Sequence, residues 1–165
     1  MIASATVILS LVTVQRLGEL WLSNRNTRRL LEQGAVEHGA GHYSLLVAVH
    51  AAWLAALWWW APAEPVNWPL IALFVLLQLA RAWVIATLGG RWTTRIIVLP
   101  AAPLVRRGPY RFVDHPNYGI VVLEIAILPL AFGLTAVALV FTLLNAAALA
   151  VRIRAENEAL GSVRQ

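Results

Sequence analysis

Apolar segments about as long as a bilayer is thick constrain this chain more than any other feature. Three segments in its first half are almost entirely apolar and about 20 residues long, the length that an α-helix needs to cross a membrane. The last apolar stretch, residues 118–151, is too long for one span, and Pro129 and Gly133 within it predict the turn of a helical hairpin. The sequence therefore predicts an all-α integral membrane protein with five spans, at residues 2–22, 43–61, 69–88, 118–131 and 134–151.

The composition agrees with this fold class. Charged residues make up 13% of the chain and hydrophobic residues 60%, whereas a soluble domain carries about 25% charged residues. The whole chain, residues 1–165, is predicted to form a single transmembrane domain. Cysteine is absent, which excludes disulfides, thiolate metal sites and cysteine nucleophiles.

Arginine is distributed very unevenly between the loops. All 13 basic residues are arginine. Loops 23–42 and 89–117 and the C-terminal tail hold eleven of them, whereas loops 61–68 and 132–133 hold none. Basic loops remain in the cytoplasm, so the N-terminus is predicted to lie outside and the C-terminus inside. The all-arginine, alanine-rich composition indicates a bacterial protein, and therefore its cytoplasmic membrane.

Several polar residues fall inside the predicted spans. Counted from the cytoplasmic helix ends, Arg16, Arg81, Glu124 and Asn145 lie about 9–11 Å deep and Glu19 about 5 Å deep. Ionisable groups at such depths face the bundle interior and are paired. Structural pairing, as between Arg16 and Glu19 at i, i+3, is one interpretation, and contact with a bound molecule is the other. We predict substrate binding for Arg81 and Glu124.

A polar, proline-punctuated stretch, residues 102–119, interrupts the apolar sequence. Pro103, Pro109 and Pro116 each remove a backbone donor and fix φ, so a long helix cannot run through it. The result is a rigid irregular loop between two spans, here called the polar loop. Its side chains include charged, aromatic and amide groups: Arg106, Arg107, Tyr110, Arg111, Asp114, His115, Asn117 and Tyr118. This density of hydrogen-bonding groups predicts a binding or catalytic role for the loop.

Other chemistries are excluded by missing motifs. His38 and His42 have helical i, i+4 spacing, but Gly39 and Gly41 favour a loop there and no carboxylate cluster completes a site, so we predict no metal. Neither a P-loop nor a G-x-G-x-x-G fingerprint is present, which excludes a Rossmann-type enzyme. The sequence contains no module that alternates basic and aromatic residues, so we do not predict nucleic-acid binding. No small-x-x-x-small pattern in the sequence is strong enough to predict an oligomeric state.

Two motifs near the C-terminus resemble those of the isoprenylcysteine carboxyl methyltransferase family. Residues 106–119 read R-R-G-P-Y-R-F-V-D-H-P-N-Y-G, and after a hydrophobic hairpin residues 152–160 read R-I-R-A-E-N-E-A-L. The N-terminal motif R-L-G-E-L-W-L-S-N-R-N-T-R-R-L at residues 16–30 and the G-H-Y at residues 41–43 resemble a bacterial branch of that family. The resemblance implies a helical membrane enzyme that uses S-adenosylmethionine (SAM) without a Rossmann domain.

The resemblance also implies roles for single residues. The polar loop and the C-terminal helix are expected to form the cofactor site, and Arg152 is expected to contact the substrate. The implied SAM contacts are Pro103, Leu104, Val105, Tyr110, His115, Pro116, Asn117, Tyr118 and Glu156. The predicted catalytic residues are Arg152, Glu156 and His115. Asp114 replaces the arginine that the family usually has before H-P, and Asn157 replaces a common second glutamate.

The predicted function is O-methylation of a hydrophobic, lipid-like acceptor that enters from the bilayer. A carboxylate or acidic enol would be held by bidentate hydrogen bonds from Arg152, whereas a phenol would need His115 or Glu156 as a base. Candidate acceptors are a prenylcysteine-like molecule or an alkylated polyketide or quinone. The alternatives are N-methylation of phospholipid headgroups, a related reductase with a nicotinamide cofactor, and a non-enzymatic membrane scaffold or transporter.

Overall fold

The computed structural model describes residues 2–100, 102–103 and 105–163 and is mostly helical. Its long helices are α1 (Ile2–Glu32), α2 (Ala40–Trp60), α3 (Trp68–Leu88), α4 (Pro116–Ala131) and α5 (Thr135–Val163). Short 3₁₀ turns cover Ala61–Ala63, Gly89–Arg91 and Gly108–Arg111. Two three-residue strands, β1 (Val36–His38) and β2 (Ile96–Val98), pair antiparallel with Glu37 opposite Ile97.

The helix boundaries follow local sequence signals. The Asn67 side chain caps α3 by accepting a hydrogen bond from the Leu70 amide at 3.3 Å. The backbone N–H of Asn67 donates to the Ala131 carbonyl at 2.8 Å, which joins the start of α3 to the end of α4. The turn predicted at Pro129 and Gly133 is present between α4 and α5, and Gly133 adopts a φ of 70° there.

Among the described residues, four helices are long and apolar enough to cross a membrane, which makes this a multi-pass membrane protein. The qualifying segments are Ser4–Glu32, Tyr43–Ala63, Trp68–Arg91 and Thr135–Glu156. Many of their apolar side chains point outward, among them Leu11, Trp59 and Leu143 with 67%, 80% and 71% exposure. The fourth helix, α4, is apolar but only 16 residues long, or about 24 Å. The fifth span therefore stays a prediction.

Two parts of the architecture differ from the sequence-based expectation. The first helix continues to Glu32, ten residues beyond the predicted end at residue 22. Its polar extension is stable because Ser23 and Asn26 are buried and hydrogen-bonded to the segment that follows α3. The β1–β2 pair was also missing from the all-α prediction, since three-residue strands are too short to give a periodic signal.

The apolar core lies at the end of the bundle away from the polar loop. Trp53 of α2 is fully buried against α4, where its indole N–H donates to the Ile125 carbonyl at 3.2 Å. Leu9 of α1, Phe74 of α3 and Leu128 of α4 belong to the same cluster. This packing fixes the helices at one end, so that their other ends hold the β1–β2 pair and the polar loop.

Candidate functional site

A cavity of about 1160 Å³ opens at the end of the bundle that carries the polar loop. Its walls come from β2, the polar loop, the start of α4 and the C-terminal half of α5. Eight of the predicted site residues line it: Pro103, Val105, Tyr110, His115, Asn117, Tyr118, Arg152 and Glu156. The fold thus brings residues as far as 53 positions apart in sequence into one cleft.

The Tyr118 hydroxyl bridges the two charged residues of α5. The Arg152 Nε donates to the Tyr118 oxygen at 2.8 Å, and the hydroxyl donates to Glu156 Oε2. The His115 ring stacks on Tyr118 with centroids 5.1 Å apart and 16° between the planes. His115 Nδ1 lies 3.8 Å from Glu156 Oε1, an ion-pair distance if the imidazole is protonated. Four residues, from α5, from α4 and from the position just before α4, therefore form one connected polar cluster.

Arg152 is also held from the opposite side by the loop that precedes β2. Its Nη1 donates to the Thr94 carbonyl at 2.5 Å. Thr94 is itself fixed, because its amide donates to Ser23 Oγ at 2.8 Å and its hydroxyl lies 2.7 Å from Ser23 Oγ and 3.1 Å from Tyr43 Oη. The sequence did not predict this contact, because the acceptor is a backbone carbonyl and every residue type has one.

Two further groups in the cavity are prepared for hydrogen bonding. Burial and the negative charge of Glu156 raise the pKa of Tyr110 to about 12, so its phenol stays protonated at neutral pH and can donate. Asn117 Oδ1 is buried and has no hydrogen-bond partner among the described residues. An unsatisfied buried acceptor in a cavity wall indicates that a bound molecule or water supplies the missing donor.

Gly108 anchors the polar loop on α3. Its φ is +58°, in the left-handed region that favours glycine. A Cβ at this position would stand 2.5 Å from Thr87 Oγ1, so even alanine would clash with α3. The following residue, Pro109, is buried, and Arg107 Nη2 donates to the Thr87 carbonyl at 3.4 Å. The R-R-G-P-Y motif is therefore the segment that holds the loop against the bundle.

The other predicted site residues lie elsewhere. Pro116 begins α4 and is absent from the cavity lining, while Leu104 lies outside the described residues. Arg81 and Glu124 do not line the cavity either. Arg81 lies 2.7 Å from Glu19 and 3.2 Å from Glu124, inside the bundle. The substrate-binding role of Arg81 and Glu124 stays a prediction, and the geometry favours structural pairing for both.

That pairing forms a closed network across three helices. Glu124, which is fully buried, accepts from Arg16 at 2.8 Å and from Arg81 at 3.2 Å. Glu19 accepts from both of the same arginines, at 3.0 and 2.7 Å. Gln78 donates to Glu124 and accepts from Gln15, at 2.8 and 2.6 Å. The two arginines and two glutamates cancel in charge, which lets α1, α3 and α4 bury them together.

Asn145, predicted to lie in the same polar layer, is not part of this network. It is fully buried on α5, and neither its Nδ2 nor its Oδ1 has a hydrogen-bond partner among the described residues. Depth along a helix does not fix the direction in which a side chain points, so residues at similar predicted depths need not meet.

The cavity combines charges of both signs with neutral donors and an acceptor. Glu156 provides a negative charge, Arg152 a positive charge, Tyr110 a donor and Asn117 an acceptor. Arg152 uses only Nε and one Nη1 hydrogen in the contacts above, and a guanidinium has five N–H groups. The edge formed by Nη1 and Nη2 therefore has hydrogens left to bind an anionic oxygen.

Comparison with known proteins places this site in a family. Residues 70–162 match the model of the isoprenylcysteine carboxyl methyltransferase (ICMT) family, a match that includes the polar loop and the α5 pair. The chain is 35% identical to an uncharacterized protein of Bacillus subtilis (strain 168), YpbQ, over 93% of this chain and 95% of that protein. It is 28% identical to an uncharacterized protein of Haemophilus influenzae over 88% of each.

No solved structure matches the chain. The family match covers more than half of the sequence and includes the residues that form the Arg152–Tyr118–Glu156 cluster. The chain therefore belongs to the isoprenylcysteine carboxyl methyltransferase family of membrane methyltransferases.

Proposed function

We propose that the protein is a SAM-dependent O-methyltransferase that acts on a carboxylate, enol or phenol of a hydrophobic, lipid-like acceptor. The observation that carries the proposal is the cluster in which Tyr118 bridges Arg152 and Glu156 at the wall of a large cavity. The family match supports the reaction class. The apolar helices around the site support an acceptor drawn from the bilayer.

The residues of the cavity fit a SAM molecule. SAM carries a sulfonium, an ammonium and a carboxylate, so it needs acceptors as well as donors. Glu156 supplies a negative charge beside the cavity, and the unpartnered Asn117 Oδ1 supplies a buried acceptor. The protonated Tyr110 phenol supplies a donor. Pro103, Val105 and His115 supply further wall area around these groups.

When bound, SAM supplies an electrophilic methyl group, which passes to an acceptor oxygen as the carbon–sulfur bond breaks and leaves its electron pair on sulfur. The protein positions the two molecules. Arg152, fixed by Tyr118 and by the Thr94 carbonyl, binds the anionic acceptor oxygen through its remaining N–H groups. Catalysis by such positioning needs a rigid anchor, because small displacements of a reacting atom are costly in rate.

The protonation requirement depends on the acceptor. A carboxylate or acidic enol arrives ionised, so Arg152 only needs to neutralise its charge. A phenol must lose a proton, and His115 is the candidate base because its Nδ1 lies 3.8 Å from Glu156, which would stabilise the resulting imidazolium. We propose that the acceptor is prenylcysteine-like or an alkylated polyketide or quinone, methylated at the cytoplasmic face of a bacterial membrane.

The test is transfer of a radiolabelled methyl group from SAM into lipid. The purified protein is incubated with labelled SAM and a bacterial lipid extract, and the products are separated and treated with mild alkali. We expect label in a hydrophobic product, and alkaline release of methanol identifies a carboxyl ester. Label in a phospholipid amine would contradict O-methylation, and the absence of label from every extract would contradict methyl transfer to a lipid.

A further inference from the structure

A second cavity, of about 730 Å³, lies beside the candidate site. It is formed by the ends of α1 and α3 together with the polar loop. The two cavities adjoin and share seven wall residues: Leu30, Leu88, Arg91, Leu99, Pro103, Val105 and Arg106. Four arginines line the second cavity: Arg29, Arg91, Arg106 and Arg107. No acidic residue is found among its described lining residues. We call it the arginine cavity.

The positive charge of the arginine cavity has no counter-charge in the part of the chain that the structure describes. None of the ion pairs between described residues includes any of the four arginines. Arg91 Nη1 donates to the Pro103 carbonyl at 2.7 Å and Arg107 Nη2 to the Thr87 carbonyl at 3.4 Å. A carbonyl accepts a hydrogen bond but does not neutralise a charge. All four arginines are exposed, so their remaining N–H groups are free to bind an anion.

That anion is unlike the ligand proposed for the neighbouring cavity. SAM carries two positive groups and one negative group. The arginine cavity adds Arg29 and Arg107 to the two arginines that both cavities share, and no carboxylate is among its described lining residues, so its charge suits a ligand more negative than SAM. Arginine forks match the oxygens of phosphate in geometry as well as in charge. A phosphate group is therefore the chemistry that the arginine cavity recognises.

The position of the cavity along the bundle indicates where the phosphate comes from. The third helix has 21 residues between Trp68 and Leu88, which makes it about 30 Å long, the thickness of the hydrocarbon core. Arg91 follows three residues after Leu88, at the level where lipid phosphates begin. Leu30, Leu88 and Leu99 form an apolar part of the same wall. A cavity lined by both arginines and leucines suits the headgroup and glycerol region of a lipid.

We propose that the arginine cavity binds the phosphate of an anionic phospholipid from the surrounding leaflet. Because Arg106 and Arg107 belong to the polar loop, the bound lipid holds that loop at the membrane surface beside the candidate site. The proposal does not depend on methyl transfer, since it rests on charge, cavity and depth alone.

The experiment is native mass spectrometry of the detergent-purified protein with dioleoylphosphatidylglycerol or dioleoylphosphatidylcholine. We compare wild type with Arg29→Gln/Arg107→Gln, whose two arginines line only the arginine cavity, and with the control Arg25→Gln/Arg154→Gln, which removes the same charge from arginines that line neither cavity. Each arginine near an anionic lipid contributes about fivefold in affinity. We therefore expect about 30-fold weaker phosphatidylglycerol binding in the first variant, and unchanged binding in the control.

Three results would overturn the proposal. Equal losses in the two double variants would show attraction by overall charge instead of a site. Equal binding of phosphatidylcholine would show that the anionic charge is not recognised. Displacement of the lipid by inorganic phosphate at equal concentration would show a site for the free ion.

Arg106→Gln, a single change in the polar loop, repeats the test if the double variant does not fold, which melting curves establish. No readout involves SAM, so a failure here leaves the proposed enzyme activity to its own test.

Discussion

Replacing Glu124 by alanine is expected to lower the free energy of unfolding by about 3–5 kcal/mol. Glu124 is fully buried and pairs with Arg16 and Arg81, so the substitution leaves two positive charges inside the bundle with only Glu19 to balance them. Breaking a buried pair from one side is costly because the remaining charge keeps its desolvation penalty. The measurement is unfolding in mixed detergent micelles, followed by circular dichroism.

The matched control is Glu37→Ala. Glu37 also pairs with an arginine, Arg95, at 2.9 Å, but both side chains are partly exposed, at 22% and 35%. A pair at the surface contributes at most about 1 kcal/mol, so this control is expected to unfold nearly as wild type does. Glu124→Gln separates charge from shape, since the amide keeps the size of the side chain. If Glu124→Ala were no less stable than Glu37→Ala, the network would not be the structural centre of the bundle.

Replacing Arg152 by alanine is expected to lower the rate of methyl transfer by about 10²–10³. Arg152 is the group that we propose to neutralise the acceptor oxygen, and both Tyr118 and the Thr94 carbonyl hold it in place. The effect should fall on turnover and on the acceptor KM, with SAM affinity largely kept. The measurement is the labelled-methyl assay, with SAM binding determined in parallel.

Two variants sharpen this result. Arg152→Lys keeps the charge but loses the planar fork, so it should recover only part of the rate. Arg154→Ala removes an exposed arginine two residues further along α5, outside the cavity lining, and should leave the rate unchanged. An Arg152→Ala variant with a wild-type rate would contradict the role assigned here and would favour a neutral amine acceptor.

The sequence predicted the features that depend on helix length and proline position. Spans of about 20 apolar residues, the turn at Pro129 and Gly133, and a cleft shared by His115 and Glu156 follow from hydrophobic length, backbone restriction and the family motifs. The structure bears out the apolar helices and the turn, and it places most of the motif residues around one cavity. Their roles in binding and catalysis stay predictions.

The sequence could not predict contacts that depend on the backbone or on side-chain direction. The contact between Arg152 and the Thr94 carbonyl could not be predicted, because a backbone acceptor does not depend on residue type. The strands of the β1–β2 pair are too short to give a periodic pattern. The last ten residues of α1 are polar, so the sequence did not predict that the helix extends through them. Ser23 and Asn26 are stabilised there by hydrogen bonds to the segment after α3, a tertiary contact that local sequence does not indicate. Depth counting grouped Asn145 with Glu124, although the two side chains do not share a network.

Calorimetry of SAM binding to the detergent-purified protein tests the central claim most directly. The account predicts saturable binding by wild type and its loss in Glu156→Ala, because Glu156 supplies negative charge to the cavity and accepts from Tyr118. Glu64→Ala, which removes a carboxylate at the opposite end of the bundle, next to the Ala61–Ala63 turn, should bind as wild type does. Absence of SAM binding by wild type, or equal binding by the Glu156→Ala variant, would contradict the assignment of this cavity as the cofactor site.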